Sequence, residues 1–164
     1  MVAGKPMFGL EKKMGHLLAD RDLTLAVAES CTGGMLGHRI TSVGGSSVYF
    51  LGGIIAYSNK VKMLVLGVDH ATLRKEGAVS EQVARQMALS VRGRFGADIG
   101  VGVTGIAGPG GGSEEKPVGL VYIGLAYGRK CIVKKFNFPG KQRNKVKELS
   151  CQSALKMVID FLEA

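Results

Sequence analysis

The segment Ala26–Gly34 (AVAESCTGG) contains the residues best suited to chemistry in this chain. An apolar run stops at Glu29 and a glycine pair follows shortly afterwards, which predicts a buried strand that turns sharply into a helix. Such a turn leaves the Ser30 hydroxyl beside backbone N–H groups without partners, so it can hold a nucleophile and a developing negative charge in one place. The alternative interpretation is that Ser30 or Thr32 only caps the helix.

A second segment, Tyr57–Lys62 (YSNKVK), supplies a candidate base. A serine hydroxyl is a poor nucleophile unless a base takes its proton, and His38 lies further along the predicted Ser30 helix and points away. A lysine can be that base if burial lowers its pKa from about 10.4 toward about 7–8. We therefore predict that Lys62 folds back beneath the strand ends toward Ser30, with Tyr57 beside it. The alternative is a solvated lysine face.

Cysteine chemistry offers a rival to the serine. Cys31 follows Ser30 directly and could be the nucleophile, or equally a small buried hydrophobic residue. The three cysteines are odd in number and far apart, which predicts reduced thiols in a cytoplasmic protein. Neither they nor the three histidines show the spacing of metal ligands, so the sequence predicts no metal. We expect no cofactor either, since acyl transfer needs only a nucleophile, a base and donors for the oxyanion.

Two further segments could contact a ligand. Gly105–Lys116 (GIAGPGGGSEEK) is a glycine-rich loop that permits close backbone approach, and Thr104 ends the strand before it. It is not a Walker A loop, and the GVGVTG string at 100–105 lies inside a strand with no helix behind it, so we reject a dinucleotide site. Lys141 and Arg143 precede the last helix, whose N-terminus suits a phosphate. Ordinary surface charge is the alternative.

The elements that must position these residues alternate between helices and strands. Their order predicts a three-layer α/β/α sandwich around a mixed, mostly parallel sheet with one antiparallel strand. Ligands bind beyond the carboxyl ends of parallel strands, where Ser30, Tyr57 and Thr104 all fall. The sequence predicts helices over 8–20, 32–41, 58–66, 72–76, 80–95 and 144–162, and strands over 23–29, 48–57, 98–104, 118–127 and 131–138, the last two joined as a hairpin at Gly128-Arg129.

Composition limits the class of protein. We expect residues 1–164 to form a single domain, with no secretory leader and no apolar run long enough to span a membrane. The net charge of +9 is concentrated in residues 129–164. A basic region can bind nucleic acid or attract small anions, but the chain has no helix-turn-helix or RNP-like pattern, so nucleic acid is not favoured. Apolar, glycine-rich surface segments lead us to expect a homo-oligomer.

Together these segments resemble the CinA C-terminal domain family, whose enzymatic members are nicotinamide-nucleotide amidohydrolases. The resemblance covers nearly the whole chain and implies an α/β/α fold without a metal. It also implies hydrolysis of the carboxamide of nicotinamide mononucleotide (NMN) to nicotinate mononucleotide and ammonia. The alternative is a non-catalytic nucleotide-binding or competence-associated DNA module. The matching strings are AESCTGG (28–34), GSSVYF (45–50), YSNKVK (57–62), GAVSE (77–81), TGIAGPGGGSEEKPVG (104–119) and FPG with an arginine (138–143).

The resemblance also implies roles for individual residues. By motif match the family's nucleophilic serine falls on Ser30, its lysine on Lys62 and its tyrosine on Tyr57. In the resulting hypothesis, the nicotinamide carbonyl is attacked by the serine while backbone N–H groups at the start of the next helix hold the oxyanion. The expected substrate-binding residues are Thr32, Gly33 and Gly34 at the oxyanion, Thr104 and Gly105 along the pocket, and Ser47 and Arg143 at the phosphate.

Overall fold

The computed structural model describes residues 9–164, so the predicted start of the first helix at residue 8 lies outside the described residues. A 3-10 turn, Ser46–Val48, precedes the second strand. In chain order the elements are α1 Gly9–Ala19, β1 Leu25–Glu29, α2 Met35–Thr41, β2 Phe50–Ile55, α3 Asn59–Leu66, α4 His70–Glu76, α5 Glu81–Phe95, β3 Ile99–Gly105, β4 Leu120–Tyr127, β5 Lys130–Asn137 and α6 Arg143–Glu163.

The strands form one sheet in the order β2-β1-β3-β4-β5. β1 pairs in parallel with β2 and with β3, while β4 is antiparallel to both of its neighbours. Within the described residues, β4 alone runs against the other strands. Helices α1, α2 and α6 pack on one face of this sheet, and α3, α4 and α5 pack on the other. The predicted three-layer sandwich with a mixed, mostly parallel sheet is confirmed.

Alternation along β1 decides which side chains meet which helical layer. Val27 and Cys31 belong to the apolar core on the side of α1, α2 and α6, whereas Ala28 belongs to the core beneath α3 and α5. Successive side chains of a strand point to opposite faces. Ser30 therefore lies on the same side as Ala28, toward α3, and its neighbour Cys31 lies on the other side.

Glycines in the centre of the sheet bring α5 unusually close. A Cβ placed on Gly102 would stand 2.6 Å from the Ala88 nitrogen, and one on Gly124 would stand 2.7 Å from the Ala84 oxygen. Neither position leaves room for a methyl group between the sheet and the helix backbone. This packing explains glycines of the GVGVTG string without any bound nucleotide.

The boundaries differ from the sequence prediction where glycine and local turns intervene. α2 begins at Met35 instead of residue 32, because Gly33 and Gly34 have φ of +58° and +96°, outside the helical range. β2 begins at Phe50 instead of residue 48, after the 3-10 turn. No helix among residues 9–164 has the length and apolarity required to cross a bilayer.

Candidate active site

A cavity of about 250 Å³ opens at the carboxyl ends of β1 and β3. The start of α3, the segment before α5, the glycine-rich loop and the first residue of α6 complete its wall. Of the predicted site residues, the cavity is lined by Ser30, Tyr57, Lys62, Thr104, Gly105 and Arg143, but not by Thr32, Gly33, Gly34 or Ser47. It is also lined by Asn59, Ala78, Val79 and Ile106, which the sequence analysis did not single out.

Lys62 and Ser30 are in direct contact at the inner end of this cavity. Lys62 Nζ lies 2.9 Å from Ser30 Oγ, 2.8 Å from the carbonyl oxygen of Ala56 and 3.2 Å from that of Tyr57. Both side chains are buried, with Lys62 1% and Ser30 7% exposed. Each distance is within ordinary hydrogen-bond range. The fold thus brings together the two residues that the sequence predicted as base and nucleophile.

The surroundings of Lys62 favour its neutral form. Burial is the larger influence on the pKa of its ammonium and lowers it, and the nearby Cys31 sulfur acts in the opposite direction. Its hydrogen-bond partners among residues 9–164 are uncharged. A neutral amine has two N–H donors and one lone pair. If the two carbonyls of Ala56 and Tyr57 accept the N–H bonds, the lone pair faces Ser30 Oγ, as a base requires.

The backbone of Ser30 is held in place on both sides. Its N–H donates to the Val103 carbonyl on β3 at 3.0 Å, and its C=O accepts from the N–H of Gly33 at 3.1 Å. The chain therefore leaves the sheet in a fixed direction, and a short turn follows before α2. This turn places the serine side chain at the carboxyl ends of the central strands.

Glu29 is a buried residue of the site region that the sequence analysis did not assign. Its carboxylate, 2% exposed, accepts hydrogen bonds from the N–H groups of Gly34 and Leu36, both at 3.0 Å, and of Gly37 at 2.8 Å. A carboxylate is favourable at the start of a helix, where N–H groups lack partners. The sequence signal was a glutamate at the strand end shortly before a glycine pair.

These hydrogen bonds correct the expected oxyanion site. The N–H of Gly33 donates to Ser30 and that of Gly34 donates to Glu29, so neither is free for a substrate oxygen. The prediction that the amides from Thr32 to Gly34 hold the oxyanion is wrong for these two glycines. In this turn the N–H groups of Cys31 and Thr32 have no acceptor oxygen among residues 9–164.

Cys31 differs from Ser30 in both placement and ionisation. It is 5% exposed and belongs to the apolar core on the side of α1, α2 and α6, although it also lines part of the cavity wall. A Cβ on Gly105 would stand 3.1 Å from its Sγ. Burial raises the pKa of the Cys31 thiol to about 12. Since the thiolate is the reactive form, this environment favours Ser30 as the nucleophile.

Tyr57 and Arg143 meet over the cavity. Arg143 Nη2 donates to the Tyr57 hydroxyl and Nη1 donates to the Gly108 carbonyl, both at 2.7 Å. Tyr57 thus contacts Lys62 through its backbone carbonyl, while its exposed ring contacts the arginine. Thr104 is buried, and its hydroxyl donates to the Ala78 carbonyl at 2.8 Å.

Ser47 lies away from this cavity. It is an exposed residue of the 3-10 turn before β2, whereas the cavity lies beyond the other end of that strand. A strand of six residues spans about 20 Å at roughly 3.3 Å per residue. The expectation that Ser47 contacts the substrate phosphate is therefore wrong within a single chain. Among residues 9–164 there is no group of three or more His, Cys, Asp and Glu that could hold a metal ion.

Fold and site together define a three-layer α/β protein with a buried serine–lysine pair at the carboxyl edge of its sheet. The model of the CinA C-terminal domain matches residues 8–162. The chain belongs to the CinA C-terminal domain family.

Its relatives include longer proteins of the same family. A relative from Moorella thermoacetica, whose name describes it as competence-damage inducible, is 56% identical over 155 residues, covering 94% of this chain and 37% of that protein. A CinA-like protein of Thermosynechococcus vestitus is 52% identical over 147 residues, covering 88% of this chain and 35% of that protein. The chain thus spans little more than a third of the length of these curated relatives.

Solved structures share the whole fold. The crystal structure of the competence/damage inducible protein CihA from Agrobacterium tumefaciens has a TM-score of 0.93 and 35% identity, covering 100% of this chain and 99% of that chain. A CinA superfamily protein from Enterobacter cloacae has a TM-score of 0.91 and 31% identity, covering 99% of this chain and 95% of that one.

Proposed function

We propose that this chain hydrolyses the carboxamide of NMN, releasing ammonia and nicotinate mononucleotide, with Ser30 as nucleophile and Lys62 as base. The observation that carries the proposal is the 2.9 Å contact between the buried Lys62 Nζ and Ser30 Oγ. Amide hydrolysis by acyl transfer needs a nucleophile, a base and donors for the oxyanion. The likeness of the motifs to those of the family's amidohydrolases supports NMN as the substrate.

In the first half of the reaction, neutral Lys62 takes the Ser30 proton as Oγ attacks the carbonyl carbon of the carboxamide. The resulting ammonium keeps the carbonyls of Ala56 and Tyr57 as acceptors, and these stabilise its charge. Its third N–H then donates a proton to the nitrogen of the tetrahedral intermediate. The C–N bond breaks, ammonia leaves, and a nicotinoyl ester of Ser30 remains.

In the second half, water replaces the serine as the nucleophile. Lys62 takes a proton from the water molecule as its oxygen attacks the ester carbonyl. The C–O bond to Ser30 then breaks, and Lys62 returns the proton to Oγ. The carboxylic acid that forms loses its proton to solvent, nicotinate mononucleotide leaves, and the serine–lysine pair returns to its starting state.

Backbone amides supply the oxyanion donors in this mechanism. The N–H of Cys31 is the candidate within the serine turn, because Cys31 lines the cavity, Thr32 does not, and the following two amides are already bonded. The loop after Gly105 lines the opposite wall and offers further N–H groups. Loss of one donor of this kind slows acyl transfer by about 10²–10³-fold.

Arg143 is the proposed phosphate ligand. It is the first residue of α6, where the helix dipole also favours an anion, and its guanidinium lines the cavity. Its present partners, the Tyr57 hydroxyl and the Gly108 carbonyl, are both uncharged. Thr104 and Gly105 would contact the part of the substrate between the phosphate and the amide. Binding at the phosphate helps to orient the small amide for attack.

The direct test is an ammonia assay on purified protein with NMN, nicotinamide riboside and NAD, with the products separated by chromatography. We expect ammonia and nicotinate mononucleotide from NMN, and faster turnover of NMN than of the other two. Absence of ammonia release from NMN would refute the proposal. Absence of release together with salt-sensitive DNA binding would favour the accessory-module alternative.

Self-association is a separate part of the proposal. Leu51 and Ile55 are exposed on the edge strand β2, and Val48 is exposed in the turn before it. β2 contains no charged residue to discourage pairing. We expect a homo-oligomer in solution. Light scattering after size-exclusion chromatography would measure the mass, and a mass of 17.3 kDa at micromolar concentration would contradict this expectation.

A further inference from the structure

Glu29 is a buried carboxylate that adjoins the proposed nucleophile but takes no part in the proposed chemistry. It is 2% exposed, and both of its oxygens accept hydrogen bonds. Oε2 accepts from the amides of Gly34 and Leu36, and Oε1 accepts from the amide of Gly37. This carboxylate has three backbone donors and no cation among its hydrogen-bond partners. It joins the end of β1 to the start of α2.

The start of α2 depends on this carboxylate. The residue at its N-cap position is Gly34, which has a left-handed backbone and no side chain to cap the helix. The first amides of a helix need partners from elsewhere, and here they find them on Glu29 of β1. Glu29, a residue of β1, thus takes the role that a serine or aspartate side chain has at the N-cap position of other helices.

The same hydrogen bonds enclose the turn that contains Ser30. The turn begins at the end of β1, where the Ser30 N–H donates to Val103, and it ends at the amides that Glu29 holds. Glu29 lies on the α2 side of the sheet and Ser30 on the α3 side, so the carboxylate contacts neither the hydroxyl nor Lys62. Any effect of Glu29 on the reaction must therefore act through the backbone of the turn.

We propose that Glu29 is a positioning residue, which fixes the turn between β1 and α2 and so keeps Ser30 Oγ within reach of Lys62 Nζ. This inference rests on the proposed function in one respect, the role of Ser30 as nucleophile. Displacement of a reacting group by about 1 Å can slow catalysis by about 100-fold. The loosened turn is expected to slow attack while leaving the phosphate contact of Arg143 intact.

Glu29→Gln is the central variant, since it keeps the shape of the side chain and removes one of the two acceptor oxygens. Glu11→Gln is the matched control, because Glu11 is also a fully buried glutamate in the layer of α1, α2 and α6. Glu11 pairs with Arg39 at 2.5 Å and contacts no part of the serine turn. Both variants weaken a buried carboxylate interaction, but only one of them alters the turn.

Both variants are assayed at a temperature where circular dichroism shows them fully folded. We expect Glu29→Gln to lower kcat for NMN about ten- to a hundredfold with KM changed less than about threefold, and Glu11→Gln to keep kcat. A purely structural role predicts a lower Tm and normal kcat in both. If Glu29→Gln does not fold, Glu29→Asp decides, because its shorter carboxylate cannot reach all three amides. Wild-type kcat in the folded variant would overturn the inference.

A second readout does not depend on NMN. Phenylmethanesulfonyl fluoride transfers its sulfonyl group to an activated serine oxygen with loss of fluoride, and mass spectrometry locates the adduct. We expect rapid labelling of Ser30 in the wild type and in Glu11→Gln, and slow labelling in Glu29→Gln. Wild-type labelling without ammonia release from NMN would refute the substrate alone. Equal labelling rates in the wild type and Glu29→Gln, or a wild type not labelled at Ser30, would overturn the role of Glu29.

Discussion

Arg143 Nη2 donates a hydrogen bond to the hydroxyl of Tyr57 at 2.7 Å, which joins the start of α6 to the segment after β2. The contact crosses the mouth of the cavity that contains Ser30 and Lys62. Because the hydroxyl and the Gly108 carbonyl are neutral, the positive charge of the guanidinium is oriented but not neutralised. An anionic group of the substrate is the partner that this arrangement favours.

Arg143→Ala should therefore impair binding of the phosphate more than the chemical step. Charge-assisted hydrogen bonds contribute about 1.5–3 kcal/mol each, so we expect KM for NMN to rise about ten- to a hundredfold. Nicotinamide riboside, which has no phosphate, should be turned over at an unchanged rate. Steady-state kinetics on both substrates tests this, with Lys156→Ala, an exposed lysine further along α6, as control. An equal loss on both substrates would argue against a phosphate role.

Tyr57→Phe separates the two contacts of that residue. The variant keeps the backbone carbonyl that accepts from Lys62 and loses only the hydroxyl bonded to Arg143. We expect kcat within about twofold of the wild type and KM for NMN raised a few fold, as for loss of a single hydrogen bond of about 1 kcal/mol. A large fall in kcat would instead show that the phenol takes part in proton transfer.

Loss of either member of the serine–lysine pair should stop turnover. Ser30→Ala removes the attacking oxygen, and Lys62→Met removes the base but keeps an unbranched buried side chain. We expect ammonia release to fall by about 10³-fold or more in each, while calorimetry still detects NMN binding. Lys60→Ala, an exposed neighbour on α3, is the control and should stay active. Near-normal turnover in either variant would reject the pair.

The lowered pKa of Lys62 links activity and stability to pH. The base must be neutral, so kcat/KM should rise as pH passes through a folded-state pKa that lies below the usual value of about 10.4. Between the folded and unfolded pKa values the unfolded chain binds more protons, so stability also rises with pH there. Lys62→Met removes the buried amine. We expect the Tm of Lys62→Met to exceed that of the wild type most at low pH. The difference should shrink as pH rises between the folded-state and unfolded-state pKa values of Lys62. A difference that does not change with pH would contradict this.

Cys31→Ala should leave the reaction largely intact. The thiol is not among the hydrogen-bond partners of Lys62 Nζ, which are Ser30, Ala56 and Tyr57. Its pKa of about 12 keeps it protonated at neutral pH. We expect kcat within about threefold of the wild type and a loss of roughly 1 kcal/mol in the free energy of unfolding. The ammonia assay and chemical denaturation measure the two quantities. If Cys31→Ala alone were inactive, the nucleophile would have to be reassigned to the cysteine.

Several elements could be predicted because their causes lie within a few residues. Ser58 and Ser80 begin the helices predicted over 58–66 and 80–95, and their hydroxyls accept from the amides three residues on, at 3.2 Å and 3.3 Å. Such caps depend on local geometry alone. The alternation of helices and strands is equally local. It was enough to predict the three-layer fold class and to predict that Ser30 lies where several strand ends meet.

Other features depended on contacts that no local pattern reveals. The amides at the start of α2 donate hydrogen bonds to Glu29, so amides that looked free in the sequence already have a partner. Ser47 belongs to a matching motif, but the direction of β2 carries it to the far end of the sheet. Tyr57 contributes its backbone carbonyl to Lys62, and the choice between ring and backbone depends on how the chain leaves β2.

The sequence by itself determined the order of the elements, the class of the fold and the residue types at the strand ends, because periodicity and capping act over a few residues. Only the tertiary structure decided that Ser30, and not Cys31, faces Lys62, because strand alternation sends adjacent side chains into different layers. It also decided that Lys62 is buried and hydrogen-bonded to two backbone carbonyls. Desolvation depends on every element that covers the group, and these come together only when the whole sheet and its helices are packed.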